Sequence, residues 1–139
     1  MSEIFARTPV YAVHGVRIDD WGPGWALVSL APTSSLANLA GSLHGGISFL
    51  LADAAFEIAC NSYGRMAVAL EVTTHHHLPA PTEGRISADC WEITRGGRTA
   101  SYRIQVRDEE DRLLSSYQAL AYRTSNWHID PAPLPEGWG

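Results

Sequence analysis

The sequence predicts an α+β domain, with one long helix laid against an antiparallel sheet. Three observations carry the prediction. Residues 43 to 64 read LHGGISFLLADAAFEIACNSYG, an apolar stretch long enough for several helical turns. The segments after it alternate apolar and polar residues with the period of a strand. A Gly-Gly pair and an acidic run separate those segments, and both are turn signals, so the strands follow one another as a meander.

The elements follow in order. Residues 3 to 13 suit a short helix. VRIDDWGPGWALVSLAP reads as two strands around Gly22-Pro23-Gly24. The long helix covers about residues 45 to 62, opening at a glycine pair and ending at NSYG, where Gly64 can take the left-handed cap. In VALEVTTHHHL, Val68, Leu70 and Val72 alternate with Ala69, Glu71 and Thr73. RISADCWEITR leads to Gly96-Gly97, which suits a two-residue hairpin turn. Beyond it, Tyr102, Ile104 and Val106 alternate with Arg103, Gln105 and Arg107. RDEEDRL makes the next turn, into LLSSYQALAYR. The expected sheet has about five or six strands, in a single domain over residues 1 to 124. Residues 125 to 139, SNWHIDPAPLPEGWG, carry prolines at 131, 133 and 135 and read as an extended tail that Trp127 and Trp138 could pin down. One helix covers only part of such a sheet, so dimerisation is expected.

Composition narrows the function. The chain has 139 residues, 45 % apolar and 18 % charged, which is ordinary for a globular domain. Its net charge is −5 with 10 Lys+Arg, and no basic run is present to neutralise phosphates, which disfavours a nucleic-acid partner. Cys60 and Cys90 have no metal-type spacing and read as small buried residues. No secretory pattern opens the chain, and the longest apolar stretch, residues 47 to 60, is short for a bilayer and holds two acids. The expectation is a cytoplasmic protein with no membrane partner.

Two features of the long helix could do chemistry. Asp53 lies among Phe49, Leu50, Leu51, Ala54, Ala55 and Phe56, which offer it no charge partner. Either it shares a solvent face with Glu57, or it is a carboxylate in an apolar groove with a raised pKa, fit to act as base or nucleophile. His44-Gly45-Gly46 stands at the helix start. There it makes either a tight turn or a site where unpaired amides meet an anion or oxyanion. Gly46 and Asp53 share a helix face about 10.5 Å apart along the axis, too far for both to reach one carbonyl easily. A two-fold copy could bring Gly46 of one chain to Asp53 of the other.

The pattern Asn38-x5-His44-Gly45-Gly46-x6-Asp53, followed by Asn61-Ser62-x-Gly64, resembles the hotdog-fold acyl-CoA thioesterases, in particular the phenylacetic-acid-degradation branch. The resemblance spans about residues 12 to 124, including EITRGGRTASYRIQV. It implies a helix wrapped by the sheet, dimers and often homotetramers, and hydrolysis of a CoA thioester. No cofactor is implied, coenzyme A being part of the substrate. By position, Asp53 would be the catalytic carboxylate, and the Gly46 amide would polarise the carbonyl from the neighbouring chain. His44 would sit beside that oxyanion site, and Asn38 would position water or substrate. An aromatic acyl group is implied by the branch, with Gly45, Phe49, Phe56 and Tyr63 as candidate pocket walls. Arg95 and Arg98, with Arg123, are candidate contacts for the CoA phosphates.

Two positions depart from the family: Leu78 stands where an Arg precedes the proline, and Ala69 stands where some relatives have Ser or Thr. His75 and His77 share a strand face, but no third ligand is apparent and no metal is expected. Gly46-Ile47-Ser48 starts like a serine elbow, but residue 50 is Leu and the strand–turn–helix context is missing. The rival readings are an acyl-thioester dehydratase or hydratase of the same fold, using His44 and Asp53, and a non-catalytic acyl-CoA binding protein.

Overall fold

The structure is a computed structural model that describes residues 1–129. Six antiparallel strands form one sheet, and one long helix crosses its inner face. The strands are β1 (Arg17–Gly22), β2 (Trp25–Leu30), β3 (Arg65–His76), β4 (Ile86–Arg95), β5 (Thr99–Arg107) and β6 (Leu113–Trp127), in the sheet order β1-β2-β4-β5-β6-β3. The helices are α1 (Ser2–Ala6), α2 (Pro9–His14) and α3 (Gly45–Asn61). The order β4-β5-β6 is the expected meander, whereas β3 crosses over to pair with β6.

The expected N-terminal helix is two helices. Pro9 has no N–H and biases the residue before it away from helical geometry, and Thr8 is extended at φ −66, ψ 113. Gly15 closes α2 in the left-handed conformation, φ 68. β1 and β2 meet at Gly22↔Trp25, so Pro23 and Gly24 form the turn. At the β4–β5 hairpin the Gly96 N–H donates to Thr99 at 2.7 Å, which centres the turn on Gly97 and Arg98, one residue later than the Gly-Gly pair suggested. The β5–β6 turn is held by the Asp108 carboxylate, which accepts from the amides of Glu110 and Arg112. β6 runs on through residues 125–127, and Trp127 pairs with Arg65. The rest of the expected tail, from residue 130, with Trp138, lies outside the described residues.

The core is the seam between α3 and the sheet. α3 buries Leu51, Ala52, Ala54, Ala55, Phe56, Ile58 and Ala59 against Val28, Ile86, Ala88, Tyr102, Ile104 and Val106. The alanines let the helix approach the strands closely, and each large side chain buried there contributes roughly 1.5–3 kcal/mol. The motif residues Asn61 and Ser62 fasten the far end. Asn61 Nδ2 donates to the carbonyls of Glu57 and Ala67, and its Oδ1 accepts from the Ala67 amide. Ser62 Oγ donates to Ala59 and accepts from the Gly24 amide. Gly64 adopts φ 82, as its cap position requires.

Candidate active site

The start of α3 is fixed by two loops. The His44 amide donates to Leu36 and the Leu43 amide to Ala80. Asn38 organises the loop between them: its Oδ1 accepts from the amides of Ala40 and Ser42, and its Nδ2 donates to Ser42 Oγ. That network holds the helix start in place and leaves little of the Asn38 amide for a water. His44 caps the helix, its Nδ1 accepting from the Gly46 amide at 3.0 Å. The expected oxyanion donor is therefore already bonded, to the residue expected beside it. The glycines have a local reason as well. A Cβ on Gly45 would lie 3.2 Å from the His76 ring, and one on Gly46 would lie 3.1 Å from the His44 ring. Gly45, Asn38, Ser42, Ser48, His76 and Leu78 line a pocket of about 370 Å³ at this end.

Asp53 opens into a different pocket, of about 320 Å³, one face of which is apolar. Ile4, Phe5 and Thr8 come from the N-terminal helices and the link between them, Phe56, Glu57 and Cys60 from α3, and Met66 to Ala69 from β3. Asp53 is half-buried and makes no hydrogen bond or ion pair with any described residue. Burial alone pushes its carboxyl above the ordinary carboxylate range. Glu57 is raised by burial and by the Asp53 charge. The Tyr11 hydroxyl pulls Glu57 back slightly, although it stops short of a regular hydrogen bond. The two acids therefore share a pocket, and the sequence choice between solvent face and groove resolves toward the groove. Burial pushes the Cys60 thiol up, so it is no nucleophile. Ala69 lines this pocket, so its missing hydroxyl is missing beside Asp53.

His128, just past β6, closes the pocket and was not legible as a wall in the sequence. Its Nε2 lies 2.7 Å from Asn61 Oδ1. That oxygen already accepts from the Ala67 amide, so Nε2 must carry the proton. Burial lowers the His128 pKa, which keeps the ring neutral.

The other expected residues divide. Phe56 is 2 % exposed and packs its ring on Tyr102, so it is core as well as pocket wall. Phe49 is half-exposed, edge-on to Tyr117. Tyr63 faces elsewhere: its hydroxyl donates to Glu92 and the Arg95 guanidinium lies 3.8 Å over its ring. Arg123 is buried beside them and donates to the Gly96 carbonyl. Arg98 is exposed on the hairpin. None of these three arginines lines the Asp53 pocket. His75 and His77 stand with ring centroids 6.4 Å apart, and His77 bonds Ser116. Among the described residues no group of three His, Cys, Asp or Glu is placed to hold a metal.

A helix that starts at a capped Gly-Gly and carries an unpartnered carboxylate over an antiparallel sheet is the arrangement of a hotdog-fold thioesterase. The chain belongs to the thioesterase superfamily, whose family model matches residues 40–115. It is 30 % identical over 109 residues to the acyl-coenzyme A thioesterase PaaI of Escherichia coli, covering 78 % of each chain. Its fold superposes on the E. coli PaaI protein from the phenylacetic acid degradation operon with a TM-score of 0.88 at 26 % identity, covering 91 % of both chains. The TT0310 protein of Thermus thermophilus gives 0.81 at 32 % identity, covering 85 % of this chain and 99 % of that one. The chain is thus a thioester hydrolase of the PaaI-like branch. No helix among the described residues is long and apolar enough to cross a membrane.

Proposed function

We propose that this protein hydrolyses acyl-CoA thioesters, with Asp53 as the catalytic carboxylate and the Gly46 amide as oxyanion donor from a second copy of the chain. The observation that carries the reading is Asp53 itself, an unpartnered carboxylate that burial makes more basic than usual, in a pocket of substrate size. The E. coli relative named an acyl-coenzyme A thioesterase supports CoA as the leaving group.

The pocket of Asp53 and the pocket at the start of α3 share no lining residue. Eight residues of helix separate Gly45 from Asp53, about 12 Å along the axis. One chain therefore offers two half-sites. β3 is an edge strand of 12 residues whose Val68 and Leu70 are exposed, a surface that a second copy can cover. In the shared site the thioester carbonyl replaces His44 Nδ1 as the acceptor of the Gly46 amide. Asp53 takes a proton from water as the oxygen attacks the carbonyl carbon. The tetrahedral intermediate then expels the CoA sulfur, and the proton held by Asp53 goes to that thiolate. Direct attack by Asp53 to form an anhydride is the other course. Neither course needs a cofactor. An aromatic acyl group, Arg98 as an outlying phosphate contact, and a cytoplasmic dimer or dimer of dimers belong to the same proposal.

A thiol-release assay over an acyl-CoA panel tests it. Thiol appears with at least one member; hydration of an enoyl thioester without thiol release would point to the dehydratase reading, and binding without turnover to a carrier. Hydrolysis in ¹⁸O water under single turnover bears on the choice, because label in Asp53 requires an anhydride opened at the Asp53 carboxyl carbon.

A further inference from the structure

The Asp53 pocket holds a second carboxylate to which the proposed chemistry gives no role. Glu57 lies four residues past Asp53, about 6 Å farther along α3, and lines the same pocket. Most of the surrounding wall is apolar: Ile4, Phe5, Phe56, Met66 and Val68. Tyr11 is only 4 % exposed, and its hydroxyl has no regular hydrogen-bond partner among the described residues. Burial, and after it the charges of Glu57 and Asp53, push the pKa of this hydroxyl up, which places the ring near both acids. His128 supplies no positive charge, since burial keeps it neutral and Asn61 holds its Nε2–H. Among the described residues, the lining thus has two acids and no arginine or lysine.

We propose that Glu57 is a specificity-determining residue that selects the acyl group by the charge at its far end. The inference rests on the reading of Asp53 as the catalytic carboxylate, which fixes where the carbonyl sits. An acyl chain running from Asp53 toward the end of α3 brings its last atoms to Glu57. A hydrogen-bond donor there meets an acceptor, and a methyl end meets the apolar wall. A carboxylate end meets a like charge in a half-buried place where water screens the repulsion poorly.

Three CoA thioesters of equal chain length separate these cases: ω-hydroxyhexanoyl, hexanoyl and adipoyl. In the wild-type protein, kcat/KM from thiol release falls in that order, with adipoyl at least about tenfold below hexanoyl. In Glu57→Gln, whose fold is checked by circular dichroism, the adipoyl-to-hexanoyl ratio rises at least about fivefold, mainly through KM. In Glu57→Lys adipoyl overtakes hexanoyl. A packing role alone would lower all three rates together and leave the ratio fixed. Adipoyl turnover equal to hexanoyl in the wild type, or an unchanged ratio in the folded Gln variant, overturns the inference while leaving thioester hydrolysis standing. Hydrolysis of none of the three overturns this inference, whereas the functional reading falls only if no member of the wider acyl-CoA panel releases thiol.

Discussion

Two half-buried carboxylate sites, Glu92 on β4 and the Asp53–Glu57 pair on α3, are solved in opposite ways. Glu92 accepts from the hydroxyls of Tyr63 at 3.0 Å and Tyr102 at 3.3 Å, and Arg95 stands 3.8 Å away. In the middle of α3, Asp53 has no described partner, and Glu57 has beside it an acid and the Tyr11 hydroxyl, which makes no regular hydrogen bond among the described residues. A partnered carboxylate ties elements together, whereas an unpartnered one costs stability and is suited to moving protons. In this chain Tyr63 and Arg95 are engaged with Glu92, whereas Asp53 faces its pocket.

The largest expected effect breaks the chemical side. Asp53→Asn should lower kcat/KM by about 10²–10⁴-fold, whereas Glu92→Gln should leave turnover near wild type and lower the melting temperature. Steady-state kinetics and thermal denaturation of both variants check this pair. Full activity in Asp53→Asn would remove the catalytic assignment.

Next comes the clamp between the two regions. Asn61→Ala leaves the buried Ala67 amide and the His128 Nε2–H without their acceptor, and should cost about 2–4 kcal/mol in urea unfolding. A loss within error would mean that water replaces the amide.

The sign of the Asp53 pKa gives a smaller effect. A carboxyl raised from 3.8 on folding binds its proton more tightly in the folded state. Above the unfolded value the folded chain must therefore hold an unfavourable charge, and stability falls as pH rises through the interval up to the folded value. Asp53→Asn should accordingly be more stable than wild type at neutral pH, with the gain disappearing near the unfolded value. Activity has the opposite dependence: the acid limb of kcat/KM should lie above the ordinary carboxylate range, because the base must be ionised. A limb at or below 3.8 would contradict the raised pKa. The smallest effect is expected from chelation. Dialysis against EDTA should leave turnover unchanged, and its loss would bring the His75 and His77 pair back into question.

Much of the fold was legible because its signals are local. The helix from Gly45 to Asn61, the alternation of Tyr102, Ile104 and Val106, and the turn at Pro23-Gly24 each declare themselves within a few residues. The pairing of β3 with β6 was not legible, since periodicity shows a strand but not its neighbour. The same limit applies to the site. Asp53 stood out as an acid in an apolar helix, but its walls come from α1, β3 and the residue after β6, far apart in the chain. Gly46 was legible as a donor, yet its bond to His44 Nδ1 depends on a rotamer that no pattern encodes. Arg95 read as a candidate phosphate contact, because sequence does not show Tyr63 beneath it.

The central claim is that one chain supplies the carboxylate and another the amide. Mixing Asp53→Asn with Gly46→Pro, each nearly inactive alone, tests it most directly. After subunit exchange, mixed dimers hold one intact site and one doubly broken site, so a random mixture should recover about a quarter of wild-type turnover. Activity in the mixture that stays at the sum of the two variants, once native mass spectrometry shows that mixed dimers have formed, would contradict the shared site.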